Sequence, residues 1–326
     1  MEGRGFEVAP GLHRIEAPLG DRYVACYLVL GRDAAMLVDT GVAGTPVGSI
    51  LPYAASIGLG TERIRWAVVT HADVDHMGGD AALVATVPGV TLIAHEADRA
   101  LIEDVDRIVD ERYREFAKAH DIDVDAAMIE WCHEVAVAAP IGLSITGTVG
   151  IDLGERHVEV ISTPGHSAGS ISVWDVATSA AMTSDAVLGS TLHLADGRPA
   201  FPPTYRLPGP YRATIAELER RAPMWLLTAH EPVMDAVACR AFLRESREFT
   251  DRLEAAALQE LRVYGPLTTR ELIDRLAPRM GEWEPAAWDF LAYELVGHLE
   301  EQATGGVIVE QAGRPTRWAM APGGGM

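Results

Sequence analysis

The chain has 326 residues, 48% apolar and 23% charged, the composition of an ordinary globular protein with room for a core unit of about 200 residues and a smaller second one. Its formal net charge of −20 argues against a large phosphate-binding surface, because nucleic-acid affinity rests on clustered Lys and Arg. No window approaches the roughly 20 apolar residues of a membrane span, the opening Met1-Glu2-Gly3-Arg4-Gly5 lacks an export pattern, and Cys26, Cys132 and Cys239 form no disulfide framework, so a cytoplasmic protein is expected.

Residues 5–40 hold three β-type runs, 11–16, 23–30 and 35–39, separated by Gly, Pro and Asp turn signals, which predicts an antiparallel meander. A short helix over 48–57 and a buried strand over 64–70 follow. That strand runs directly into His71-Ala72-Asp73-Val74-Asp75-His76-Met77-Gly78-Gly79. His71, Asp73, Asp75 and His76 lie within six residues, and two imidazoles with two carboxylates suit a borderline or hard divalent ion. The plainer alternative is a polar loop capping a helix that starts near Asp75. A helix over 80–85 and a strand over 90–94 complete a rhythm that puts the loop at a strand's C-terminal end. His95, after that strand, reads as structural.

Residues 97–140 carry helical stripes (Leu101, Val105, Ile108, Val109; Met128, Trp131, Cys132, Val135) and read as an inserted lid, with Tyr113, Phe116, Met128 and Trp131 as pocket walls. Strands over 145–149, 157–161 and 171–175 predict a second sheet, with His166 in the turn after Ser162-Thr163-Pro164-Gly165. A strand over 180–183 ends at Asp185. Residues 197–211 form a loop rich in Pro and aromatics at the site mouth, where Tyr205 or Tyr211 would bind a carbonyl oxygen and Arg206 or Arg212 a carboxylate. A helix over 214–221 and a strand over 224–227 lead to His230.

From residue 236 a long helix leaves this unit. A capped helix start at Thr268 or Thr269, a helix near 286–301 and strand-like runs at 307–309 and 316–318 follow. Residues 236–326 hold ten Arg against fourteen Asp and Glu, so DNA binding is not expected of them, and the unit packs beside the pocket or forms a homodimer contact. The end, 323–326, reads as mobile.

The stretch from His71 to His76, followed by Thr163-Pro164-Gly165-His166, Thr183-Ser184-Asp185 and Leu227-Thr228-Ala229-His230, resembles the ligand motifs of the metallo-β-lactamase superfamily in their order. The signature HxHxDH is HxDxDH here, with Asp73 at its second His. The resemblance implies an α/β, four-layer αββα fold over 1–235, with the lid at 97–140 and a unit resembling a winged helix over 236–326. It implies two divalent metal ions, one held by His71, Asp73 and His166, the other by Asp75, His76 and His230, with Asp185 bridging and Asp39 of Asp39-Thr40-Gly41 supporting the ligands. Zinc is the family's usual ion; Asp73 favours manganese or iron. It implies an enzyme that uses a metal-bound hydroxide to cleave an ester-like bond, a thioester or a lactone, of a small-molecule substrate, with Asp75 and Asp185 catalytic. The alternatives are a di-iron oxidoreductase and a nucleic-acid-binding or nuclease-like module.

Overall fold

The computed structural model describes residues 4–322; the expectation for 323–326 lies outside them. Strands β1 (Arg4–Ala9), β2 (Leu12–Leu19), β3 (Arg22–Leu30), β4 (Ala35–Val38), β5 (Ile64–Val68), β6 (Thr91–His95) and β7 (Leu143–Ile145) form one sheet in chain order. Strands β2 to β4 are the expected meander, β1 adds an antiparallel strand that was not expected, and β4 to β7 run parallel. Side chains alternate across a pleated strand, and both faces of this sheet are covered, so the strands read as near-continuous apolar runs. In β3, Tyr27 and Val29 point into the space between the sheets, while Cys26 and Leu28 face the outer helices.

The second sheet contains β8 (Val149–Asp152), β9 (His157–Ser162), β10 (Ile171–Asp175) and β11 (Ala180–Met182). After a small hairpin, β12 (Leu192–His193) with β13 (Pro199–Phe201), it is completed by β14 (Trp225–Leu227) and β15 (Met234–Asp235), in the order β15-β14-β11-β10-β9-β8. Val158, Val160, Ile171, Val173 and Met182 meet Tyr27, Val29, Met36, Val38 and Val68 between the two sheets. Helices cover both outer faces, which makes the four-layer αββα arrangement.

Two expectations need correction. Residues 145–149 are not one strand: Ile145 ends the edge strand β7 of the first sheet, Val149 starts the edge strand β8 of the second, and the residues between carry the chain across. Residues 197–211 are not one loop either, since the β12–β13 hairpin takes up their start and the helix expected from Thr214 already begins at Pro208. Pro208 and Pro210 suggested a loop, but proline fits the first turn of a helix, where the missing N–H has no partner to lose.

The insertion folds as helices Glu96–Ile102, Val105–Ile108, Ala117–His120 and Ala126–Val135, with a wider turn at Val109–Tyr113. The C-terminal residues form helix Ala236–Tyr264, strand β16 (Leu267–Thr268), helix Thr269–Met280, a short turn of helix at Pro285–Leu291, helix Ala292–Thr304, and the hairpin β17 (Ile308–Gln311) with β18 (Arg317–Met320). The order helix, helix, hairpin is the one read from the sequence, and Thr268 makes a capping box with Glu271. One continuous core joins this unit to the second sheet's outer face through Leu226, Ile215, Leu243, Phe249, Leu295 and Leu299. No helix among the described residues is long and apolar enough to cross a membrane.

Helix Ala292–Thr304 is buried on all sides over its first two turns, and it carries Glu294 inward with both carboxylate oxygens unpartnered. Burial holds this carboxyl well above its ordinary 4.5. The folded chain thus keeps a proton that the unfolded chain releases, so this group's contribution to stability is full below pH 4.5 and is lost as pH rises from there through its raised value in the fold. Glu294→Gln is expected to raise stability at pH 7.5 by about 1–3 kcal/mol, with the gain vanishing toward pH 4. Urea unfolding across that range checks it; a variant no more stable than the parent at pH 7.5 contradicts it.

Candidate metal centre

Strands β4 and β5 run parallel and end side by side, so Asp39 and the loop from Thr70 to His76 leave the sheet at the same edge. Asp39 sits at φ 61°, in the left-handed region that Asp tolerates better than most residues. This conformation aims its carboxylate at four donors: Thr70 N–H at 2.9 Å, Thr70 Oγ1 at 3.0 Å, His76 Nδ1 at 3.0 Å and Ser184 Oγ at 2.8 Å. With Nδ1–H of His76 donated to Asp39, the Nε2 lone pair of that ring faces the site. His230 is set the same way by the Tyr23 carbonyl, 3.0 Å from its Nδ1. His71 Nδ1 lies 3.0 Å from Thr70 Oγ1, whose proton goes to Asp39, so its Nε2 also faces inward.

Asp73 occupies the N-cap position of the short helix Val74–Met77 but caps nothing; Tyr113 Oη instead accepts the Val74 N–H at 3.0 Å. The capping alternative for this loop therefore fails at its first residue. Its carboxylate turns into the site, as do those of Asp75 and Asp185.

The turn carrying His166 is fixed from two sides. Gly165 has φ 149°, and a Cβ there would lie 2.6 Å from Tyr211 Cα, so only glycine fits. Its carbonyl accepts the N–H groups of Arg206 and Leu207, both at 2.8 Å. From the insertion, buried Asp98 accepts Ser167 Oγ at 2.5 Å and the Gly169 and Ala72 N–H groups at 2.8 and 3.3 Å, tying this turn to the first ligand loop.

All seven expected donors gather at the strand ends, in three overlapping groups: His71, His76 and Asp185; His71, Asp73 and His166; Asp75, His76 and His230. His76 Nε2 lies 3.7 Å from both Asp75 and Asp185, and His230 Nε2 lies 3.5 Å from both. These separations are too long for hydrogen bonds. They match the roughly 3.4 Å between ligands placed about 2.1 Å from a tetrahedral ion. His71 Nε2, His76 Nε2 and Asp185 Oδ1 are buried without any hydrogen-bond partner. Buried polar atoms are normally paired, so three orphans facing one another fit a cation among them.

The electrostatics agree. Burial favours a neutral His76, yet the carboxylates of Asp75, Asp185 and Asp39 push it up to about 10. Burial opposes the charge on Asp185, but His230 and His76 hold its carboxyl far below the usual carboxylate range. Burial and the Arg112 charge bring His166 down to about 4.

Arg112, which the sequence reading did not single out, lies at the centre of the other group. Its guanidinium forks onto both oxygens of Asp73, with Nη2 2.8 Å from Oδ2, and the same Nη2 lies 2.8 Å from His166 Nε2. Arg112 comes from the wider turn Val109–Tyr113, a helical stripe in which one more arginine looks like solvated surface. Only the fold brings it inward.

Tyr205 and Tyr211 are corrected. Both are fully buried and stacked on each other with ring centres 4.3 Å apart; Tyr205 Oη bonds His298 Nε2 at 2.9 Å, and Tyr211 Oη accepts the Leu188 N–H at 2.9 Å. Neither hydroxyl reaches the centre, so they brace the His166 turn and bind no substrate. Arg206 and Arg212 are likewise taken, by Glu115 and Glu300 and by Glu254 and Asp251. His95 caps the helix Glu96–Ile102 through the Ala97 N–H, as a structural residue would.

Beside the donors opens a narrow cleft. Asp73, Asp75, Asp185, His230 and Arg112 form its floor; the expected Tyr113, Met128 and Trp131 wall one side, while Phe116 lies outside it. Leu192, Phe201 and Thr204 come from the hairpin region, Arg22 from β3, and Phe290 and Tyr293 from the C-terminal unit. That unit therefore does pack beside the pocket.

A family described as the Metallo-beta-lactamase superfamily matches residues 19–226. Similar solved structures include a metallo-beta-lactamase family protein from Thermus thermophilus, 19% identical with TM-score 0.74 over 96% of this chain and 100% of that one. A beta-lactamase domain protein from Burkholderia ambifaria is 18% identical with TM-score 0.75, over 97% and 93% of the two chains. The stereoselective inverting sec-alkylsulfatase Pisa1 from Pseudomonas sp. is 16% identical with TM-score 0.61, covering 92% of this chain and 50% of its own. No curated protein matches the sequence. At these identities the structural likenesses carry the fold alone.

Proposed function

Because the chain belongs to the metallo-β-lactamase superfamily, we propose that it is a metal-dependent hydrolase that opens an ester-like bond, a thioester or a lactone, of a small molecule lying in the cleft. The observation that carries this reading is the set of buried, unpartnered donors His71 Nε2, His76 Nε2 and Asp185 Oδ1, next to a cleft that Asp75, Asp185 and His230 line together with apolar side chains. Asp75, His76, His230 and Asp185 would hold the ion; two imidazoles with two carboxylates suit zinc, manganese or iron(II). A divalent ion there lowers the pKa of water and polarises a carbonyl.

The chain's own residues supply the rest. Asp75 opens on the cleft and is placed to orient the attacking water and pass its proton to the leaving group. Met128, Trp131, Phe201 and Phe290 offer apolar surface for an acyl chain and keep water out around the reacting carbon. Three buried cysteines without disulfides suit a reducing cytoplasm.

Metal-loaded protein is to be assayed on acyl-glutathione, acyl-coenzyme A, lactone, β-lactam, secondary alkyl sulfate and phosphodiester substrates. Turnover of thioesters or lactones that stops with a chelator is the expected result. Turnover confined to the sulfate or phosphate esters, or none at all, contradicts the proposal.

A further inference from the structure

The two halves of the donor cluster differ in charge. Around Asp75, His76 and His230, with Asp185 3.7 Å from His76 and 3.5 Å from His230, two carboxylates and two imidazoles offer two negative charges, which a divalent ion cancels. Around Asp73, the one carboxylate is already matched by Arg112, which forks onto both its oxygens. What remains there for an ion is His71 and His166, both uncharged as ligands, beside a fixed positive charge. Guanidinium keeps its proton at any ordinary pH, so this half cannot shed that charge to admit a cation.

Geometry makes the same distinction. An imidazole Nε2 has a single lone pair, and in His166 that nitrogen lies 2.8 Å from the Arg112 Nη2 donor. Whether this Nε2 accepts from Arg112 or, in its other tautomer, donates to Asp73 Oδ2 at 2.9 Å, it has no free lone pair for a metal. His166 Nε2 and Asp73 Oδ2 are 2.9 Å apart, drawn together around the guanidinium, whereas the donors of the other half stand 3.5–3.7 Å apart; His71 Nε2, at 3.3 Å from Asp73 Oδ2, keeps the wider spacing. Arg112 is also built in: its side chain is 8% exposed, its backbone carbonyl accepts Tyr293 Oη at 3.2 Å, and its guanidinium carbon lies 5.6 Å from the Tyr293 ring centre. It is no surface side chain folded in by chance.

We propose that the protein holds one ion, at Asp75, His76, His230 and Asp185, and that the Arg112 guanidinium, clamped between Asp73 and His166, stands in place of a second. The proposal rests on the metal-centre reading above and refines it. His71 lies at the seam between the halves, with its unpartnered Nε2 turned toward the ion's side, next to His76 and Asp185. Asp73 then serves to anchor Arg112. Because Arg112 also lines the cleft, it presents a fixed cation to a substrate carboxylate or to the oxyanion formed on attack, the part a second metal would otherwise play.

The test is metal content. Chain stripped with a chelator is reloaded with excess zinc(II) or manganese(II), dialysed, and analysed for metal per chain. One ion is expected for the wild type and two for Arg112→Met, which frees Asp73 and His166. His166→Ala is expected to leave one ion bound with unchanged affinity, where loss of a true ligand would weaken binding about 10-fold or more; this variant keeps the test informative if Arg112→Met fails to fold. Two ions in the wild type, no gain in folded Arg112→Met, or weakened binding in His166→Ala overturns the single-ion assignment alone. No ion in the wild type overturns the metal centre with it.

Discussion

Replacing Asp185 by alanine is expected to lower kcat/KM for the chain's ester-like substrate by about 10³-fold or more while leaving a folded protein. Asp185, like Asp75, faces both His76 and His230, and its Oδ1 is one of the buried orphans. Without it the ion loses a charged ligand and its Lewis acidity is misplaced, and a loss of several kcal/mol in transition-state stabilisation corresponds to about three decades in rate at roughly 1.4 kcal/mol per decade. Steady-state kinetics alongside thermal unfolding separate loss of function from loss of fold. Activity within tenfold of the wild type in a folded Asp185→Ala protein would remove Asp185 from the centre.

The second large effect is expected at a residue that touches no substrate. Asp39→Ala leaves the Thr70 N–H, the His76 Nδ1–H and the Ser184 hydroxyl buried without their acceptor. Stranding such groups costs about 3 kcal/mol or more, and freeing the His76 ring weakens metal binding about 10–100-fold. Asp39 adopts its left-handed backbone beside Ser184, which does the same at φ 48°; two such residues joined by a hydrogen bond mark a place where local strain is held by the surroundings. Urea unfolding of metal-free protein and metal titration of the same variant measure the two effects separately. A variant with unchanged metal affinity would reduce Asp39 to a plain turn residue.

How much of this was legible in the sequence depends on the range over which each signal acts. The ligand loop was legible because its four donors are adjacent and follow a buried strand. His166, Asp185 and His230 each sit at the end of a strand with small or turn-forming neighbours. The support from Asp39 was legible only through the family resemblance of Asp39-Thr40-Gly41, since locally these residues read equally as a plain turn after a strand. Arg112 was not, since nothing local distinguishes an arginine that turns inward from one that faces water, and its partners, Asp73 and His166, are 39 and 54 residues away. Tyr205 and Tyr211 misled for the opposite reason. A run of prolines and aromatics looks like a mobile loop at a site mouth, yet Pro208 opens a helix and both rings are covered by helices of the C-terminal unit. The contribution of Phe290 and Tyr293 to the cleft depends on docking between distant segments, which no local pattern encodes.

The most direct test is a crystal structure of zinc-loaded protein with an anomalous difference map at the metal edge. The expected result is one strong peak about 2.0–2.2 Å from His76 Nε2, His230 Nε2 and oxygens of Asp75 and Asp185, with the Arg112 guanidinium still on Asp73. A map with no peak among these four side chains, or with its peak elsewhere in the chain, would contradict the metal centre on which the proposed hydrolysis depends.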